Sequence, residues 1–450
     1  MLDFDTFENR WEITAKLTMV TPLRIGGGQN AGAYSMSQSP VLLSYDAQTQ
    51  TAEPYIPGSS LKGVLRSTVE RIVRTIDENE SCIAVGKRDK VLCGDCVSCS
   101  IFGSQKKGAS IRVQDAHLST EIGSGGVLDE RPHCATIYDK KGDEYVMRMR
   151  TQGRGGRSFE VPKTILRMEE VVAANTSFDL NINLDNADEH EVGLVLLALN
   201  EFNHKRSCLG GGTSRGNGFA DMNHVRVTRK RVVPDEDRLF KVESEQMDPY
   251  MFCDSARDYL RDMDNGQDVT RRDFDVYYRA YSSERQEGHL VIQYEVETLN
   301  DFQMPGADGA TVTNYGVPVI PGSTIKGFLR HSLIEAGREA KFIDEMFGSV
   351  NGQAQHRSRL LISDAFSDTG FSGHDMIPAG TILTMWAVFD NVDKDELGAI
   401  NEILKKPSCR ITGKKTANTD KRGQSSRNTV SFRAKDLSKF EVSKYLNDQI

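Results

Sequence analysis

The sequence contains no run of 18 apolar residues among its 450, so no helix of membrane-crossing length is expected. Its first residues are acidic, with no apolar stretch behind a basic patch, so a secretory leader is not expected and the protein is assigned to the cytoplasm. Cysteine is scarce. Three of the eight crowd into one seven-residue cluster, which argues against a disulfide framework and for a reducing compartment. A G-x-x-x-x-G-K-[S/T] phosphate loop is missing: the nearest stretch, Ile56–Gly63, lacks the Lys-Ser/Thr end, which disfavours nucleotide hydrolysis. The nine histidines are scattered, and no serine–histidine–acid or cysteine–histidine arrangement stands out.

Positive charge is in deficit overall, with a net charge of −8, which at first argues against nucleic acid. Its distribution reverses that reading. Residues 233–275 hold 13 acids and 6 Lys/Arg, nearly the whole excess. Residues 404–435 hold 10 Lys/Arg against Asp420 alone, and residues 140–167 hold 8 against 3 acids, around Arg148, Arg150, Arg154 and Arg157. Local basic stripes, not the global balance, set affinity for phosphates.

One phrase occurs twice. Residues 55–66 read Tyr-Ile-Pro-Gly-Ser-Ser-Leu-Lys-Gly-Val-Leu-Arg, and residues 319–330 read Val-Ile-Pro-Gly-Ser-Thr-Ile-Lys-Gly-Phe-Leu-Arg. Pro57 and Pro321 are 264 residues apart, too far for a solenoid and suited to two fused copies of one domain. Each copy has the grammar of a strand, a tight Pro-Gly turn and a helix start, with Ser60 and Thr324 as expected N-caps. Leu61, Val64, Leu65, Ile72 and Val73 recur at helical spacing, while Lys62 and Arg66, like Lys326 and Arg330, lie four apart on the opposite face. Turn serines (Ser59, Ser60, Ser323, Thr324), free amides, a helix dipole and two cations together suit an anion such as a phosphate.

Further elements repeat in order. Phe102-Gly-Ser104 matches Phe347-Gly-Ser349, and Ile111-Arg-Val-Gln-Asp-Ala116 matches Leu360-Leu-Ile-Ser-Asp-Ala365. Strand–helix–strand–strand–helix–strand order predicts an α+β fold of two tandem ferredoxin-like units. The first covers 1–232, an acidic linker 233–280, and the second 281–450. Within the first, Asp188 with Glu191 forms a capping box for a helix at 189–204. The run Gly210-Gly-Gly-Thr-Ser-Arg-Gly-Asn-Gly218 carries Arg215 among glycines, suited to close approach to a phosphate chain.

The first copy alone contains an insertion at about 80–105, with Cys93, Cys96 and Cys99 in a C-x-x-C-x-x-C cluster and Cys82 eleven residues upstream. Thiolates at this spacing suit a structural zinc ion over an iron–sulfur centre, closed by Cys82 or by His117 or His133. A Cys₄ site leaves no open position for substrate.

Together, Arg24-Ile-Gly-Gly-Gly28, both Pro-Gly-Ser-Ser/Thr-x-Lys-Gly helices, both Phe-Gly-Ser corners, the cysteine cluster and the 210–218 loop resemble the RAMP superfamily of CRISPR–Cas systems. The members in question are backbone subunits of type III RNA-guided effectors, and two units in one chain resemble the fused double-backbone subunit of type III-D-like complexes. The resemblance implies RRM-like palms, a zinc-stabilised insertion and a thumb hairpin, here at about 133–167. It also implies that Lys62, Arg66, Lys326 and Arg330, with Arg154, Arg157 and Arg215, face RNA, and that the partners are guide (crRNA) and target RNA and the other effector subunits. Family catalysis rests on one aspartate after the first strand, acting with Mg²⁺ or another divalent cation on target RNA. Asp308 falls in that loop of the second unit, with Asp301 its rival, whereas Gln38 occupies the place in the first. The second unit is therefore expected to cut and the first to position RNA. A non-catalytic RNA-binding scaffold and a guide-precursor processing endonuclease are the alternatives.

Overall fold

The computed structural model describes residues 7–27, 40–46, 50–77, 80–82, 91–119, 128–136, 138–141, 144–147, 149–154, 157–162, 164–236, 239–263, 289–303, 312–314, 317–348, 358–367, 376–390, 392, 394–411 and 428–435, and every structural statement concerns these. Alternation of apolar and polar residues makes β1 (Arg10–Met19) a half-buried strand with Trp11, Ile13, Leu17 and Met19 turned to the core. There follow α1 (Gly58–Ile76), α2 (Val97–Phe102), β2 (Ile111–Val113), β3 (Ser177–Asp185), α3 (Glu189–Asn203) and β4 (Ala220–Asp235). The strand order β4-β1-β3-β2, with every neighbour antiparallel, is that of a split β-α-β-β-α-β sheet. Both halves of the Asp188–Glu191 capping box start α3.

The acidic stretch corrects the expected linker. β4 runs on to Asp235, pairs antiparallel with β5 (Leu239–Met247), and leads into α4 (Pro249–Met263). The inner face of α4 holds Phe252, Cys253, Ala256 and Leu260, all buried against the first unit. Phe252 meets Trp11 edge-on, with ring centroids 5.0 Å apart, and burial of such a ring contributes about 1.5–3 kcal/mol. A Cβ on Gly193 would stand 1.9 Å from the Phe252 carbonyl oxygen, so only glycine lets α3 and α4 approach this closely. The charges lie outside and hid this periodicity. Residues 233–263 therefore belong to the first unit, and the rest of the expected linker, 264–280, lies outside the described residues.

The second unit repeats the order with β6 (His289–Thr298), α5 (Gly322–Glu335), α6 (Ala340–Phe347), β7 (Leu360–Ile362), β8 (Ile382–Asp390), α7 (Lys394–Leu404) and β9 (Thr429–Ala434). Its sheet runs β7-β8-β6-β9, again antiparallel throughout. Tyr294, Val296, Ile325, Leu329, Met385 and Ile400 fill a separate core. The two units touch: Phe219, just after the glycine-rich loop, is fully buried with Leu361 and Val388 on the helix-free face of the second sheet.

Between β2 and β3 the first unit sends out a two-stranded ribbon, Leu128–Thr136 paired with Thr164–Val172. Two hairpins extend it, Tyr138–Lys141 with Glu144–Met147 and Met149–Arg154 with Arg157–Pro162. Its base is pinned by a bridge from Val172 to Leu23 and by the Val41 amide donating to Glu170 Oε2 at 2.7 Å.

Candidate nucleic-acid interface and metal centre

The two Pro-Gly-Ser helix starts are built alike, but not as expected. Pro57 and Pro321 are the N-caps, and Ser60 and Thr324 instead lie inside the first turns, their amides donating to the carbonyls of Pro57 and Pro321. The first helical amides are taken from across the fold. Gly58 N donates to Asp115 Oδ1 at 2.7 Å, and Gly322 N to Asp364 Oδ1 at 2.8 Å. A protein carboxylate thus sits where an external anion was expected. A Cβ at Gly58 or Gly322 would lie 2.1 Å or 2.2 Å from the carbonyl oxygen of Val113 or Ile362, which explains the repeated glycine. Sequence reasoning saw the repeated Asp-Ala pairs and gave them no role.

Lys326 is buried, and its ammonium donates to Leu360 O at 2.7 Å, Ser358 Oγ at 2.6 Å and Ser214 O in the glycine-rich loop of the first unit. That corrects its expected place on an RNA face. A desolvated ammonium persists only with such acceptors, and it cannot reach a phosphate from there. Lys62, its counterpart, is half-buried and among the described residues donates only to Ile111 O, at 3.3 Å; loss of water around it and the nearby Arg66 hold its pKa below the usual lysine range. Arg66 bridges Glu70 Oε1 and the carbonyl of Gly103, both at 2.8 Å, fastening α1 to the Phe-Gly-Ser corner. Arg330 is half-buried on α5. Ser59 is exposed, and Ser60, Ser323 and Thr324 are half-buried.

Arg215 also differs from expectation. Its guanidinium donates to both oxygens of Glu169 at the ribbon base, at 3.0 and 2.8 Å, and Arg24 approaches the same carboxylate. The loop itself is a joint. Gly216 takes φ +87°, and a Cβ there would lie 1.7 Å from Ile362 O on the second unit. Arg154 and Arg157 are register partners in the pairing of Met149–Arg154 with Arg157–Pro162. Gln38 and Asp308 lie outside the described residues. Asp301 is exposed and caps a turn, with Ala379 N donating to its Oδ1 at 3.1 Å.

The sulfurs of Cys82, Cys93, Cys96 and Cys99 all lie within 4.8 Å of one another, and Cys93 and Cys99 are 4.0 Å apart. Tetrahedral zinc with bonds of about 2.3 Å needs sulfurs roughly 3.8 Å apart, so the four thiols fit such an ion. Cys82 completes the set. His117 instead stacks on Tyr55, with ring centroids 5.7 Å apart. Backbone amides of Asp95 and Cys96 donate to Cys93 Sγ and pull its pKa down to about 6, whereas burial pushes the Cys99 thiol up to about 12.

Residues 16–221 and 304–417 match the RAMP superfamily, which takes in both Pro-Gly-Ser helices and the cysteine centre. The chain belongs to the RAMP superfamily. Two relatives carry the name CRISPR system Cms endoribonuclease Csm3. The one from Methanothermobacter thermautotrophicus is 24% identical over 232 residues, 50% of this chain and 89% of the relative. The one from Enterococcus italicus is 28% identical over 210 residues, 46% of this chain and 86% of the relative. About half of this RAMP chain thus spans most of either relative. No helix among the described residues is long and apolar enough to cross a membrane.

Proposed function

We propose that this chain is a guide-RNA-binding backbone subunit of a type III CRISPR effector, built as two tandem ferredoxin-like units, and that it cleaves complementary target RNA. The observation that carries the reading is the duplication itself. One β-α-β-β-α-β sheet with a Pro-Gly-Ser helix occurs twice, while relatives named as endoribonucleases are matched over most of their length by half the chain. The ribbon with Arg154 and Arg157 fits the thumb, and the serines and threonine of the two helix starts remain candidates for RNA contact. Arg215 and Lys326 leave that set because their side chains are committed to protein.

Target sequence would be read by base pairing, with the protein holding the backbone of the guide. Cleavage is assigned to the second unit. Asp308 would take the proton of a target 2′-hydroxyl as that oxygen attacks the adjacent phosphorus. The bond from phosphorus to the 5′-oxygen then breaks and that oxygen takes a proton from water, leaving a 2′,3′-cyclic phosphate and a 5′-hydroxyl. A divalent cation, if bound there, would stabilise charge on the phosphate oxygens. Gln38 cannot accept that proton, so the first unit would position RNA without cutting. The cysteine centre, holding zinc, would staple an insertion that has no core of its own. Purification of the full chain from its native host tests the complex itself: guide-length RNA and further effector subunits should accompany it, and a chain free of both would end the reading.

A further inference from the structure

We infer that Asn428 is a positioning residue for target-RNA cleavage: its side-chain amide fixes Gln303, at the root of the loop that carries Asp308. The inference rests on the reading that Asp308 cuts.

Asn428 is 5% exposed and immediately precedes β9 with φ +65°, a left-handed conformation that asparagine adopts more readily than most residues. Its amide grips both backbone groups of one distant residue. Gln303 N donates to Asn428 Oδ1 at 2.9 Å, and Asn428 Nδ2 donates to Gln303 O at 3.0 Å. The pairing spans 125 residues of sequence and imitates one rung of a β-ladder. The residues leading to Gln303 are fixed as well. Thr429 N donates to Asn300 Oδ1 at 3.0 Å, Ala379 N donates to Asp301 Oδ1 at 3.1 Å, and Phe302 bridges Ile377. Gln303 is the last described residue before Asp308, which follows five positions later in sequence.

In the first unit the same frame is held without this grip. Leu209 N donates to Gly218 O as Ile411 N does to Asn428 O, and Phe219 N donates to Thr21 Oγ1 as Thr429 N does to Asn300 Oδ1. Leu23 bridges Val172 as Phe302 bridges Ile377. Gly218, also left-handed at φ +86°, is therefore the counterpart of Asn428, and Arg24 is the counterpart of Gln303. Glycine has no amide side chain to offer, and Arg24 O instead accepts Gly211 N at 2.7 Å. The side-chain grip thus belongs to the unit assigned to cutting and not to the unit assigned to positioning RNA. A reacting group misplaced by about 1 Å can lose about 100-fold in rate, so a loop that presents a general base needs a fixed root.

The test compares complexes carrying full-length wild type, Asn428→Gly, Asn428→Asp or Asp308→Ala. Asn428→Gly keeps the left-handed backbone without steric cost and removes the amide. Asn428→Asp keeps the side chain's shape but sets an oxygen against Gln303 O in place of a donor. In single turnover both should slow the cut that Asp308→Ala abolishes by about tenfold or more, while target affinity stays within about twofold and every other cut is unchanged. In the isolated chain the Gln303 amide should exchange its hydrogen faster in Asn428→Gly than in wild type, with both chains still folded at the assay temperature. An unchanged rate in both Asn428 variants overturns the inference and leaves Asp308 its role. So does a fall in target affinity large enough to account for the slower cut, or loss of folding in both variants, since either makes Asn428 a structural residue only. If Asp308→Ala leaves every cut intact, the catalytic reading fails and this inference with it.

Discussion

Lys326 on α5 of the second unit donates a hydrogen bond to the carbonyl of Ser214 in the glycine-rich loop of the first, 112 residues away in sequence. The same ammonium holds Ser358 and Leu360 inside its own unit, so one buried charge ties a helix, a strand and a neighbouring domain together. A motif lysine that reads as a phosphate contact in sequence is, in this unit, part of a joint.

Lys326→Met should therefore lower stability by about 2–4 kcal/mol, since two buried acceptors and one half-buried one lose a charged donor at once. Lys62→Met should cost no more than about 1 kcal/mol, because its ammonium has a single acceptor among the described residues and partial access to water. Urea unfolding of the two variants, followed by fluorescence, checks the contrast.

Gly216→Ala should weaken the joint by about 2 kcal/mol or more, combining an unfavourable positive φ with a clash on Ile362 O. Gly327→Ala in α5 meets nothing within 4 Å and should stabilise the helix by about 0.5–1 kcal/mol. Thermal melts of both, with scattering to follow the relation of the two units, separate a joint defect from a fold defect.

The repeat made much of the fold readable. β1, the two Pro-Gly-Ser helices and the capped α3 all rest on local periodicity, and they form where that periodicity places them. What stayed hidden depends on residues far apart in sequence. Asp115 reaches Gly58 across 57 residues, and Glu169 reaches Arg215 across 46. Neither pairing leaves a local trace, so free amides and free cations were read where partners exist. α4 failed for another reason: its acidic outer face outweighed an apolar stripe of Phe252, Cys253, Ala256 and Leu260. The cysteine centre was legible because metal ligands crowd together in sequence as well as in space.

The purified chain should contain about one zinc per molecule, and Cys99→Ser should lose it. Metal analysis before and after a strong chelator provides the check.

In the metal-free chain the depressed pKa of Cys93 sets a pH dependence. Its thiolate is favoured by folding, so its stabilising contribution is complete above the ordinary thiol pKa and is lost as pH falls through about 6. Cys93 should accordingly be alkylated first at neutral pH, while Cys99, held near 12, stays unreacted. Zinc should protect both, as mass spectrometry of the labelled peptides would record.

On the ribbon, Arg154→Ala and Arg157→Ala should each weaken guide or target binding uniformly across sequences and reduce the salt slope by about 0.7–1. Arg215→Ala should leave that slope unchanged, because its guanidinium is already paired with Glu169. Binding titrations at several salt concentrations distinguish the two classes.

The most direct test of the central claim maps target-RNA cuts made by the complex containing wild type or Asp308→Ala at millimolar magnesium. The account predicts that one cut disappears while its neighbours persist and guide binding is unchanged. A cut pattern identical to wild type would contradict it, leaving the chain to hold RNA while other subunits cleave.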